Sequence, residues 1–192
     1  MQIVSNVSLD VDLFEHPIHN LILSRKSLLG RRVHMGRYDT AQICLKGYVI
    51  NPSSNRLSKH NKKFCDKCGF PTITNCQNCG CDIQGRYHDE ASIRVRPYIP
   101  PAFCYNCGAP FPWTEAKLKA FREYTELLEI PKKDKEALEK NVHDIVISTE
   151  TTPVSATRFK QTLSKAGKGA LEGAKEIVID IISETAKKII WP

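Results

Sequence analysis

No stretch of this 192-residue chain reaches the roughly 18 uninterrupted apolar residues of a membrane-spanning helix, because charged side chains break every hydrophobic run. The motifs of the commonest hydrolytic and nucleotide chemistries are also missing. There is no GxxxxGK(S/T) phosphate loop, no HExxH and no GxSxG. The chain also lacks the basic start of a secretory signal, since Asp10, Asp12 and Glu15 precede the apolar Leu21, Ile22 and Leu23. A cytoplasmic protein in a reducing compartment is therefore expected. Regular hydrophobic periodicity is scarce before Pro112, so the first half has little means of building an ordinary core.

What that half has instead is cysteine. Six of the eight cysteines form three CxxC pairs, Cys65/Cys68, Cys76/Cys79 and Cys104/Cys107, and each pair is followed by glycine, at Gly69, Gly80 and Gly108. A two-residue spacer lets both thiolates of a pair face one tetrahedral Zn²⁺ at about 2.3 Å. The glycines permit a positive φ that turns backbone N–H groups toward sulfur. A disulfide framework fits poorly, because neighbouring cysteines rarely cross-link each other and no export signal is present. Structural zinc contributes roughly 10–16 kcal/mol of apparent binding energy, enough to stand in for a core.

The formal charge of +7 is unevenly spread. Residues 1–112 carry 14 Lys/Arg against 8 Asp/Glu, residues 113–150 carry 7 against 9, and residues 151–192 carry 7 against 4. A site of four thiolates around Zn²⁺ is net −2 and one of three is −1, so two sites bring the total to about +4. The basicity is thus a weaker pointer to nucleic acid than the isoelectric point of 9.0 suggests.

Three regions follow: an irregular extension over 1–37, a double zinc-ribbon domain over 38–112, and a helical module of about four helices over 113–192. The fold class expected is α+β, a small all-β double ribbon with rubredoxin-like knuckles followed by α-helices. Met35 is a candidate translation start. Strands are expected at 41–44, 48–51 and 93–98, with a turn over 89–92 closing a hairpin between Tyr87 and Tyr98. In the helical module, Thr114 is expected to cap a helix running to about 129, with Trp113 stapled on Leu118. Asp134 opens a second helix, and Thr152–Pro153 opens a third that Gly167 stops. A fourth helix carries one stripe from Ala170 through Ile177, Val178, Ile181 and Ala186 to Ile190. Its polar face mixes Glu172, Glu176, Asp180 and Glu184 with lysines, which favours core or oligomer packing over a membrane surface. Gly167, Gly169 and Gly173 offer close helix approach.

Two partitions of the thiols compete. In the tandem one, Cys76/Cys79 and Cys104/Cys107 close one site while Cys44 joins Cys65/Cys68 in another. In the compact one, Cys65/Cys68 pair with Cys76/Cys79, and Cys44 or Cys81 completes a site with Cys104/Cys107. The 24-residue interval between the second and third pairs has room for two strands and favours the tandem arrangement. Cys81 has no obvious partner under it.

The runs AQICLKGYVIN, FCDKCG, NCQNCG and YNCGAPFPWTE, followed by TPVSATRFK and ETAKKIIW, resemble the uncharacterised bacterial zinc-ribbon proteins grouped as domain-of-unknown-function family 2321. The resemblance covers roughly residues 35–192. It implies a zinc ribbon with a helical tail and no established activity. It also implies a histidine four residues after Cys44, where this chain has Tyr48. A phenol is a poor zinc ligand at neutral pH, so the first site needs a substitute such as His60 or His34, or is degraded.

Enzymatic signals are thin. His88 and Glu90 form an HxE ahead of Cys104 and Cys107, as in zinc deaminases, but only 13 residues separate Glu90 from Cys104 and Phe103 stands where that motif has proline. His143–Asp144 is a lone pair on a helix, and His16 and His19 have no neighbouring ligands. Arg86, Arg94 and Arg96, with Tyr87, Tyr98 and Tyr105 and with Lys59, Lys62 and Lys63, make a candidate nucleic-acid face. The expectation is a non-enzymatic adaptor: structural Zn²⁺ in one closed site and a second three-thiol site, with a protein partner or homo-oligomer through the helices. Nucleic-acid binding is the runner-up and a membrane-active last helix comes third.

Overall fold

The computed structural model describes residues 36–88 and 97–192, which belong to one compact unit. The Met35 start, His16, His19, His34, Glu90, Arg94, Arg96 and the 89–92 turn all lie outside the described residues. Five short strands precede five helices, an α+β arrangement. β1 (Arg37–Thr40) pairs antiparallel with β5 (Gln84–His88), and β2 (Gln42–Cys44) lies between β3 (Val49–Asn51) and β4 (Thr72–Ile73). β1 begins at Arg37, the last residue assigned to the irregular extension. Tyr87 pairs with Tyr38 across β1 and β5, while Pro97 and Tyr98, expected as its hairpin partners, are not strand.

Strands of two to five residues bury little, and the ribbon core is correspondingly small: Ala41, Ile43, Ile83, Phe111 and Trp113 pack with Cys76 and Cys104. Gly85 is required where β5 crosses β1, since a Cβ there would meet the carbonyls of Pro52 and Asp39.

Each helix follows from its punctuation. α1 (Pro112–Leu127) starts earlier than Thr114 suggests, because proline at the first turn loses no intrahelical bond. Thr114 is fully buried inside the helix, and its hydroxyl donates to Ala102 O at 2.8 Å instead of capping. Trp113 turns away from Leu118 to stack on Phe111 at 4.7 Å, and its Nε1 donates to Pro101 O at 2.9 Å. α2 (Lys132–Ile147) carries Asp134 in its first turn and ends at Ser148, whose φ of +61° is left-handed. α3 (Thr152–Lys165) is the hub, packed on α2, α4 and α5 and burying Ala156, Phe159 and Leu163. Gly167, at φ +97°, stops it as expected and leads into α4 (Lys168–Val178).

The long fourth helix is two. α4 ends at Val178, and α5 (Glu184–Ile190) restarts after Ser183, whose Oγ accepts from Ala186 N at 3.2 Å while its own N–H donates to Ile145 O at 3.2 Å. An unbroken helix from 170 to 190 would be about 30 Å long and would run past the short bundle. Breaking it folds Ala186 and Ile190 back into the core with Ala174, Val178, Ile181 and Ile182, so the apolar stripe is spent inside the molecule. Of the three glycines, Gly173 permits close approach: Tyr124 of α1 lies where its Cβ would be and donates to Ala170 O at 3.1 Å. Among the described residues no helix is long and apolar enough to cross a membrane.

Candidate metal centres

The three CxxCG segments fold as the same turn. In each, the glycine N–H donates to the first cysteine's carbonyl: Gly69 to Cys65 at 2.8 Å, Gly80 to Cys76 at 2.9 Å, Gly108 to Cys104 at 2.9 Å. The first cysteine's N–H in turn donates to the residue after the glycine, Phe70, Cys81 or Ala109, at 2.8 to 2.9 Å. The glycines have φ of +71°, +73° and +70°, and a Cβ there would meet nothing, so backbone conformation alone selects them. Cys44 heads a related turn: Gly47 N donates to Cys44 O at 2.8 Å, and Cys44 N donates to Tyr48 O at 3.0 Å. It is one residue shorter and lacks the second thiol.

The turns bring the thiols together in the tandem partition. Cys76, Cys79, Cys104 and Cys107 place all four sulfurs within 4.8 Å of one another, and Cys44, Cys65 and Cys68 do the same with three. Sulfurs about 2.3 Å from the centre of a tetrahedron stand about 3.8 Å apart. Cys76–Cys107 is 3.8 Å, Cys79–Cys104 is 3.7 Å and Cys44–Cys68 is 3.8 Å. All eight cysteines are free thiols.

The four-thiol site is symmetrical in its outer contacts. Asn78, from the knuckle of Cys76/Cys79, donates its amide to Cys107 at 3.5 Å, and Asn106, from the facing knuckle, donates to Cys79 at 3.6 Å. These donors favour thiolate. The Cys81 N–H and then the Asn106 amide bring Cys79 down to about 6, and the Asn78 amide with the Ala109 N–H lowers Cys107. Burial raises Cys104 despite the N–H groups of Cys107 and Asn106. Cys81 lies 3.3 Å from Cys104 but stands outside the four.

The three-thiol site is less complete. Cys44 Sγ accepts from the N–H groups of Lys46 and Tyr48, both at 3.3 Å, yet burial still raises its thiol. Burial acts on Cys65 as well, but the N–H groups of Lys67 and Cys68 outweigh it and lower that thiol. Among the described residues no histidine, aspartate, glutamate or fourth cysteine joins the cluster. His60 sits on a 3₁₀ turn (Ser58–His60) lining a different cleft, so it is not the substitute ligand considered above. Tyr48 is 44% exposed, with Lys67 Nζ 5.3 Å from its ring centroid.

Both clusters fit a soft or borderline divalent metal: all-thiol donors, tetrahedral spacing and N–H groups aimed at sulfur. Of the candidate nucleic-acid face, Arg86 lies on β5 beside the half-exposed Tyr87, and Tyr105 is 64% exposed on the third knuckle. Tyr98 is turned inward, its hydroxyl donating to Gln84 O at 2.6 Å. Lys59 and Lys62 line a cleft with Arg86 that the sequence did not announce. His143 is exposed, and Asp144 accepts from Ser155 Oγ at 3.1 Å.

Fold and sites together define a protein of paired cysteine knuckles joined to a five-helix bundle. A family model described as "Uncharacterized protein conserved in bacteria (DUF2321)" matches residues 37–190, and the chain belongs to that family. Compared with curated proteins and with solved structures, it has no match.

Proposed function

We propose that the protein is a non-enzymatic interaction module whose ribbon is held by structural zinc. Zinc suits four thiolates at tetrahedral spacing, and at Cys76, Cys79, Cys104 and Cys107 a closed four-sulfur set leaves no position for substrate. The observation that carries the interaction reading is the surface around the first knuckle. Tyr48, Phe64 and Phe70 are 44%, 61% and 43% exposed there, on backbone that the cysteines fix. Exposed rings on a rigid frame resemble the aromatic anchors of interfaces more than surface noise.

Lys46 lies 4.6 Å from the Phe70 ring centroid and Lys67 packs over Tyr48. Cations paired with rings also suit stacked bases on a phosphate backbone, which supports nucleic acid as the second reading. Affinity purification of the tagged chain, with and without nuclease, separates the two. A Phe64→Ser/Phe70→Ser variant is expected to keep its metal and lose its partner. Full partner recovery by that variant would refute the reading.

A further inference from the structure

The loop after β3 and strand β5 border a cleft of about 440 Å³. Its lining draws Arg56, Lys59, His60 and Lys62 from one loop and Arg86 from β5. We propose that this cleft binds the phosphate of a small phosphorylated ligand of nucleotide size. The proposal is independent of the knuckle surface and goes beyond the interaction reading.

Charge is the first reason. Asp39 takes Arg56 through an Oδ2–Nε contact of 3.1 Å, and Asp66 takes Lys62 at 2.8 Å. Lys59 and Arg86 have no acidic partner among the described residues, so the cleft keeps an excess of positive charge. Arg86 adds a second reason. Its Nε is buried and has no hydrogen-bond partner among the described residues. A guanidinium with one N–H closed off from water and unpaired is costly to keep charged, and an oxyanion in the cleft that Arg86 lines would offset that charge.

Rigidity is the third. The cationic loop is pinned from beneath: Asn51 Nδ2 donates to Leu57 O at 2.8 Å and to Asn61 Oδ1 at 2.7 Å, and Asn61 Nδ2 donates to Ser54 O at 3.1 Å. Arg86 N donates to Pro52 O at 2.8 Å and ties β5 to the same loop. Cations held in place lose little freedom on binding. A phosphate suits two uncompensated cations with its several acceptor oxygens, and the volume falls within the range of about 300–1,000 Å³ usual for small-ligand pockets.

The test is a ¹⁵N-resolved titration of the full, metal-loaded chain with pyrophosphate, ATP and a short oligothymidine at two salt concentrations. Pyrophosphate and ATP should shift resonances of residues 50–62 and Arg86. Arg86→Met should weaken both by about tenfold or more while metal content and the helical resonances stay unchanged. Should Arg86→Met fail to fold, Lys59→Ala on the exposed turn decides, with a several-fold loss expected. The proposal is overturned if pyrophosphate leaves residues 50–62 unmoved, if the folded variant binds as tightly as the parent, or if oligothymidine alone binds. None of these outcomes would touch the knuckle reading, which is read by partner recovery.

Discussion

At the scale of single residues, the two thiol clusters differ by what surrounds their sulfurs. Asn78 and Asn106 each reach across to the opposite knuckle, whereas the first knuckle has Lys67 at the equivalent place and sends no side-chain amide to sulfur. Contacts of this kind typically govern metal affinity by about tenfold to a hundredfold. Asn78→Ala with Asn106→Ala is therefore expected to weaken the four-thiol site by that order in competition with a chromogenic chelator. An unchanged affinity would mean the amides are ornamental. Protonation follows from the same contacts. With Cys79 at about 6 and Cys107 also lowered, part of the site is already thiolate at neutral pH, while raised Cys76 and Cys104 remain thiols. A depressed thiol favours the folded form above its unfolded value of 9.0 and loses that advantage as pH falls through about 6. Metal uptake near pH 7 should thus release fewer than the four protons that unperturbed thiols would give, a quantity read by calorimetry in buffers of different ionisation enthalpy.

The CxxCG spacing made the knuckles legible because spacing, glycine and tetrahedral geometry are all local. The asparagines were not legible, since nothing in the sequence says that residue 78 faces residue 107. Arg86 and Lys59 line one cleft for a similar reason: a long-range bond from Arg86 N to Pro52 O ties β5 to the loop after β3, and nothing local in the sequence announces it.

At the scale of elements, periodicity found the apolar faces and missed where the backbone turns. The stripe from Ala170 to Ile190 is real, and every one of its deeply buried members lies in one core, but a 3.6-residue period survives a break if both pieces bury the same face. Ser183 was the available signal, a cap residue that the continuous stripe passes over. It gives a discriminating prediction. Ser183→Ala removes the bond to Ala186 N and should destabilise by about 1 kcal/mol in denaturant unfolding. In one continuous helix the same change would stabilise, by roughly 0.5 kcal/mol, because alanine is the better helix former. Thr114 teaches the converse lesson: a good cap in sequence became a buried hydroxyl, because Pro112 starts the helix earlier and leaves Thr114 inside it, donating to Ala102 O beside the Phe111 N–H.

At the scale of the whole molecule, stability is divided between two kinds of interior. The helical part has an apolar core of ordinary kind around Phe121, Leu138, Ile145, Phe159 and Leu163. Phe159→Ala there should cost about 3–5 kcal/mol. The ribbon has a handful of buried side chains and two clusters of cysteine placed to hold metal, and the proposed structural zinc would supply the order its core does not. Trp113 joins the ribbon core from the first turn of α1, while Phe103 of the third knuckle packs against the helical core.

In the function proposed above, metal is structural and is held most firmly by Cys76, Cys79, Cys104 and Cys107. Hydrogen exchange measured before and after exhaustive chelation tests it most directly. Amides of residues 36–88 and 97–111 are expected to lose their protection when the metal leaves, with Cys76→Ser reproducing the loss in the presence of zinc. Ribbon amides that stay protected in metal-free protein would contradict it.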